Sequence, residues 1–300
     1  MGKNHKDIVV VESKEYVFKA LLLFSGGLAV FILVVLFSTL CLKSALSFNK
    51  LGFSFFIDST WDPVKGHFGA LPFFLGTIIT SIISLLIAIP FSIALAIFLG
   101  ECMKKGPLPT LLSSTIDLLA GIPSVIYGFW GMMVLVPIIR NIQNAIGVTP
   151  NGVGILTSSI ILAIMIIPYS ASISKEVLSL VPTDIKEAAL SLGATQTEVI
   201  KKIMLPYVRS GIFAGLLMSF GRAISETMAV TMLIGNSNKI PNSIFSPANT
   251  LASVIANEFA EASEALYLSS LIELALILFF ITALFSFIGR LIIKKWVVPC

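Results

Sequence analysis

Six long apolar runs govern what this chain can fold into. They lie near residues 20–42, 71–99, 111–139, 152–169, 210–235 and 268–292, each close to or above the roughly 20 apolar residues that a bilayer-crossing helix needs. Inside hydrocarbon every backbone N–H and C=O must be satisfied within the protein, so runs of this length become helices packed into one bundle. The chain is 56% hydrophobic and only 12% charged, where a soluble domain has about 25% charged residues. Mean hydropathy is +0.98. Too little polar chain lies between the runs for a separate water-soluble domain, and the expected fold class is an all-α polytopic membrane protein with six transmembrane helices. The first run exceeds a signal-peptide core in length and no A-x-A-like site follows it, which predicts an uncleaved helix. The expected division is a 1–19 tail, a first helix at 20–42, a loop at 43–70, a core at 71–292 containing five further helices and a polar loop at 171–209, and a 293–300 tail.

An even number of crossings puts both termini on one side. If that side is the cytoplasm, it receives Lys3, Lys6, Lys14, Lys19, Lys104, Lys105, Lys175, Lys186, Lys201, Lys202, Arg209, Arg290, Lys294 and Lys295. The outside then holds only Lys43, Lys50, Lys65, Arg140 and Lys239. The positive-inside rule selects this orientation, with cytoplasmic termini and a cytoplasmic 171–209 loop. The net charge of +4 is thus spread over membrane flanks rather than gathered into a nucleic-acid face. Cys41, Cys102 and Cys300 share no metal-ligand spacing, and His5 and His67 lie far apart. No metal site and no catalytic constellation are expected, so the chain is not expected to be an enzyme.

The longest polar interruption, residues 187–206 (EAALSLGATQTEVIKKIMLP), reads as two short helices. Asp184 with Glu187, and Thr195 with Glu198, have capping-box spacing and signal two N-termini. Gly193 lies between them as a C-cap, and Pro206 is expected to stop the second helix. Ile185, Ala188, Ala189 and Leu192 fall at i, i+3, i+4 and i+7, a narrow apolar face suited to a groove on another protein. An amphipathic hairpin lying on the membrane surface is the alternative. Glu187, Ala188, Ala189, Gly193, Ile203, Leu205 and Pro206 match the EAA signature, E-A-A-x3-G-x9-I-x-L-P, and the chain resembles the membrane subunits of bacterial ABC importers. The resemblance implies a cytoplasmic loop that docks into a cleft on an ATPase and passes its closure to the membrane helices.

Several residues sit awkwardly in the apolar runs. The segment 121–128, with Gly121, Pro123, Ser124, Tyr127 and Gly128, predicts a broken helix, which either borders a substrate route or packs helices through small residues. Asp117 and Glu273 are expected to be interfacial carboxylates relieved by water and nearby lysines. Trp61 is expected to be an interfacial anchor, and Glu258, Glu261 and Glu264 a solvated helix face. Arg222 lies midway along the fifth run, with Ser225, Glu226 and Thr227 just beyond. A central arginine costs roughly 2.5–3.5 kcal/mol on insertion scales. An i, i+4 ion pair with Glu226 is one explanation, but its Arg-before-Glu order is the weaker one. Contact with an oxyanion is the other, because the guanidinium fork matches two oxygens and stays charged at any working pH.

Blocks at 61–63 (WDP), 68–72 (FGALP), 121–128, 222–230, 234–236 (IGN) and 252–258 (ASVIANE) resemble the permease of the phosphate-specific ABC importer, the PstC type rather than the paired PstA type. The likeness runs from about residue 61 to 290. Ser225 departs from the glycine expected before Glu-Thr-Met. The resemblance implies a type I ABC importer permease fold in the bacterial inner membrane. It also implies a heterodimer with a PstA-type permease, an ATPase dimer on the cytoplasmic side and an external phosphate-binding protein. ATP and magnesium would be bound by the ATPase and no cofactor by this chain, which has no G-x-x-x-x-G-K-[ST] phosphate loop. Molybdate or sulfate as substrate, a secondary transporter or channel, and a signalling or scaffolding subunit remain as alternatives.

Overall fold

The computed structural model describes residues 5–102 and 106–296. Lys3, Lys104, Lys105 and Cys300 lie outside the described residues, as do the outermost parts of the two tails. In chain order the helices are α1 (His5–Leu51), the short α2 (Ser54–Ile57), α3 (Leu71–Ile97), α4 (Pro107–Gly121), α5 (Ser124–Trp130), α6 (Val136–Ala145) and α7 (Ile155–Ser179). They continue with α8 (Thr183–Ser191), α9 (Gln196–Glu198), α10 (Leu205–Ser225), α11 (Met228–Leu233), α12 (Leu251–Glu258) and α13 (Ala265–Trp296). Wide π turns extend α3 through Phe98–Cys102, join α5 to α6 through Gly131–Leu135 and join α9 to α10 through Val199–Met204. Among the described residues six spans are long and apolar enough to cross a membrane: Phe18–Leu51, Leu71–Cys102, Ser124–Ala145, Ile155–Ser179, Gln196–Ser225 and Ala265–Lys294. The all-helical, six-crossing class is therefore the observed one.

The spans differ from the apolar runs where prolines and breaks intervene. The run 111–139 is two helices, not one. Pro123 disfavours the helical region at the residue before it, and Ile122 is extended (ψ 130°), so α4 stops at Gly121 and the crossing starts at Ser124. Asp117 therefore sits on α4, exposed, ahead of the crossing instead of inside it. The expected stop at Pro206 does not occur, and the helix runs on to Ser225. A proline ring clashes with the carbonyl four residues back, here Lys202, which lies inside the wide turn Val199–Met204. Loosening that turn moves the carbonyl aside and absorbs the missing N–H. Pro137 repeats the device, since Met133 lies in Gly131–Leu135.

The core is built around α7, which packs on α3, α4, α10 and α11. Its buried positions include Thr157, Ser158, Ser159, Ala163, Ser170 and Ala171, small residues that let helices approach closely where lipid offers no hydrophobic drive. Hydroxyls bridge the contact: Ser159 Oγ donates to the Thr80 carbonyl at 3.2 Å, and Ser92 pairs with Ser170. On the flank, α1 lies against α13, with Phe37 between Phe279 (5.6 Å) and Phe280 (5.9 Å). Residues 18–36 of α1 touch little of the chain and are exposed on every face.

At the end opposite the 187–206 loop, Glu258 organises the connecting segments. It accepts hydrogen bonds from Trp61 Nε1 (2.7 Å), the Tyr267 hydroxyl (2.8 Å) and Asn238 Nδ2 (3.1 Å). Trp61 is 8% exposed and packs at 5.0 Å on both Phe68 and Phe73. Neither expectation for these residues holds. Trp61 is a core anchor instead of an interfacial one, and Glu258 leaves the predicted solvated face because α12 ends there, while Glu261 and Glu264 stay exposed. Glu273 is also not relieved by water and lysines as expected: it is 2% exposed, beneath the seam of α1 and α13.

Candidate functional site

The 187–206 loop folds as the glycine and one capping box dictate. Gly193 has φ +85°, a left-handed conformation that favours glycine, and no atom lies within 4 Å of where its Cβ would be. Its N–H donates to the Leu190 carbonyl (2.9 Å) and the next N–H, of Ala194, to the Ala189 carbonyl (3.2 Å), a Schellman ending for α8. Thr195 caps α9 with both halves of the box present: Glu198 N–H donates to Thr195 Oγ1 (3.3 Å) and Thr195 N–H to Glu198 Oε2 (3.1 Å). The other box is absent. Pro182 is the N-cap of α8 and the helix starts at Thr183, one residue ahead of Asp184, which therefore lies in its first turn without capping it.

The face of α8 is also divided differently from the expected stripe. Ala189 is buried against this chain's own Leu178, Val181, Val199 and Met204, with Ile203 and Leu205 packed alongside. Glu187, Ala188 and Pro206 are exposed, as are Ile185 and Leu192, the last at 90%. One turn before Ala189, Lys186 points inward and its Nζ meets Glu101 Oε2 at 2.8 Å, the two side chains only 10% and 13% exposed. This buried pair fastens α8 to the end of α3. Its signal in the sequence is the i, i+3 spacing of Lys186 and Ala189, but nothing local names Glu101 as the partner.

The two broken crossings meet inside the bundle. A Cβ on Gly128 would lie 2.8 Å from Met232 Sδ and 3.1 Å from Ala229 Cα, so α5, which follows the Pro123 break, packs directly on α11, which follows the Glu226 break. The first break is closed by Tyr127, buried, whose hydroxyl donates to the Leu119 carbonyl across it at 2.8 Å. Gly121 and Pro123 are exposed and Ser124 is half-buried.

Arg222 lies in the last turn of α10 and not midway along a helix. The partial negative charge of a helix C-terminus favours a cation there. Its guanidinium carbon stands 5.9 Å from the centroid of the Tyr169 ring, a cation–π contact. Among the described residues it forms no ion pair with Glu226. That residue is extended (ψ 126°), and its Oε1 accepts from the Ala229 N–H at 3.4 Å, so it serves the start of α11. The i, i+4 pair is excluded because the helix that would set it ends at Ser225. Ser225 is exposed and turns its hydroxyl back onto the Gly221 and Arg222 carbonyls (3.0 and 3.3 Å), and Thr227 is half-buried. Tyr169, which holds the guanidinium from α7, has no sequence signal that singles it out.

The chain has the fold of the permeases of type I ABC importers, here a bundle of broken membrane helices with a two-helix loop at one end. Two solved structures share the fold. A bacterial alginate ABC transporter in complex with an alginate pentasaccharide-bound periplasmic protein covers 96% of this chain and 98% of its own, with TM-score 0.62 and 20% identity. An inward-facing MetNI methionine ABC transporter covers 74% and 91%, with TM-score 0.54 and 17% identity. Residues 92–298 match the family described as "Binding-protein-dependent transport system inner membrane component". The chain belongs to this family, and within it groups with the PstC permeases. It is similar to proteins called "Phosphate transport system permease protein PstC": one from Haemophilus influenzae is 44% identical over 285 residues, 90% of each chain. One from Mesorhizobium japonicum is 44% identical over 262 residues, 82% of this chain and 80% of its own. One from Xylella fastidiosa is 40% identical over 296 residues, 94% and 91%.

Proposed function

We propose that this chain is the PstC-type permease subunit of an ATP-driven importer that moves inorganic phosphate across the cytoplasmic membrane by alternating access. The observation that carries the reading is the 44% identity to a phosphate transport permease over 90% of both chains. The chain supplies the pathway, and hydrolysis of ATP with magnesium takes place on a dimeric ATPase at the 187–206 loop. The termini and that loop face the cytoplasm. A phosphate-binding protein delivers substrate at the opposite end. A second, PstA-type permease covers the exposed apolar side of the broken helices, where Ile126, Phe129, Trp130 and Met133 stand in the open.

The geometry supplies a route for the stroke. Ile185, Ala188 and Leu192 enter the ATPase cleft, while Lys186 and Ala189 hold α8 to its own bundle. Gln196–Ser225 is continuous, a rod of about 45 Å at 1.5 Å per residue, with the docking loop at one end and Arg222 at the other. Displacement of the loop therefore moves Arg222 relative to Tyr169 and the Pro123 break. The guanidinium offers phosphate two parallel donors, and Glu226, Ser225 and Thr227 line its exit from α10. A carboxylate beside the site keeps affinity low enough for release.

Radiolabelled phosphate uptake tests the reading, in cells lacking this chain with and without its restoration, with sulfate and molybdate as competitors. Uptake that depends on the chain and ignores both competitors is expected. Phosphate uptake indifferent to the chain overturns the substrate assignment.

A further inference from the structure

Beneath the α1–α13 seam, at the end opposite the docking loop, lies a groove of about 560 Å³. Its walls include Phe48, Phe74, Phe280 and Leu284, and its polar lining consists of Glu273 and Ser44. Glu273 is 2% exposed, and neither carboxyl oxygen has a hydrogen-bond partner. Of the nearby hydroxyls, Ser47 lies close to the carboxyl but pairs with Ser270 (3.1 Å), Ser269 donates to the Lys43 carbonyl (2.8 Å) and Ser44 to the Cys41 carbonyl (3.2 Å). A buried carboxyl left in this state is costly, and a partner from outside the chain removes the cost.

Two observations say what that partner is. The rim is formed by exposed apolar side chains of membrane-crossing helices, Phe48, Phe280 and Leu284 among them, so the groove opens to hydrocarbon and not to water. The path along α13 from Glu273 to Leu284 is about 16 Å at 1.5 Å per residue, the depth of one leaflet of a hydrocarbon core about 30 Å thick.

We propose that the groove holds one acyl chain of a diacyl phospholipid in the leaflet opposite the docking loop. The lipid's ester carbonyl accepts the hydrogen bond that the protonated Glu273 carboxyl donates. The bound lipid seals the α1–α13 seam. This site is separate from the substrate path and independent of which ion is carried.

The test uses the assembled importer in nanodiscs of ester-linked phosphatidylethanolamine or its diether analogue, followed by native mass spectrometry after transfer to detergent. The expected result is one retained phospholipid per chain for the ester lipid and about fivefold lower retention of the diether, the effect of one hydrogen bond. Glu273→Leu abolishes the ester–ether difference, and Ile277→Trp, which fills the groove, abolishes retention. Equal retention of ester and diether lipid by the unaltered protein overturns the proposal, and that comparison needs no variant to fold. Capture of a protein segment instead of lipid by a photo-crosslinker at Phe280 overturns it too.

Discussion

Replacing Lys186 with Met removes one half of the pair that ties α8 to α3. The ammonium and the Glu101 carboxylate meet at 2.8 Å with both side chains nearly out of solvent. Breaking a buried pair from one side costs roughly 3–5 kcal/mol, because the remaining charge stays buried. Glu101 keeps further interactions, which places the expected loss near the lower bound. About 3 kcal/mol corresponds to a roughly 150-fold fall in the ratio of docked to undocked α8. Hydrogen exchange of the amides in Thr183–Ser191 reports the undocking directly. Vesicles loaded with ATP report its consequence as ATP hydrolysed per ion transported, which should rise as the loop moves without its bundle. The double variant Lys186→Met/Glu101→Leu should recover most of the protection, because an apolar replacement of both partners is often neutral or better. Unchanged exchange and unchanged coupling in Lys186→Met alone would refute the reasoning, since the pair would then hold nothing.

Gly193→Val puts a β-branched residue at φ +85° with open space around it, so the cost is purely backbone, at least about 1–2 kcal/mol; ATPase co-purification should weaken while membrane insertion stays normal, and an intact complex would count against this turn. Trp61→Phe keeps the aromatic packing but removes the donor to Glu258, and loss of a hydrogen bond to a charged group should lower stability by about 1.5–3 kcal/mol. A thermal-unfolding midpoint equal to that of the unaltered protein would remove Glu258 from its organising role. Arg222→Ala should abolish uptake at normal expression and Arg222→Lys should restore part of it, since lysine keeps the charge but loses the planar fork; full uptake in the alanine variant would exclude Arg222 from the path.

What the chain states locally, it states well. Apolar runs long enough to span a bilayer leave helices as the only solution. Pro123 biases Ile122 away from the helical region, and Gly193 with Thr195 and Glu198 specify a turn and a cap through bonds a few residues long. Where local rules compete, packing decides. Pro206 signals a stop, yet the helix continues because the Val199–Met204 turn widens ahead of it. Arg222 and Glu226 have helical spacing, yet the chain leaves the helix between them to place α11 against Gly128. Partners distant in the chain were beyond any local rule. Glu258 takes its bond from Trp61, 197 residues away, and Lys186 reaches Glu101 across 85. A buried charge demands a partner of opposite sign or a donor, but periodicity and turn chemistry extend only a few residues. Which of many candidates meets that demand is settled when the bundle closes and brings distant helix ends together.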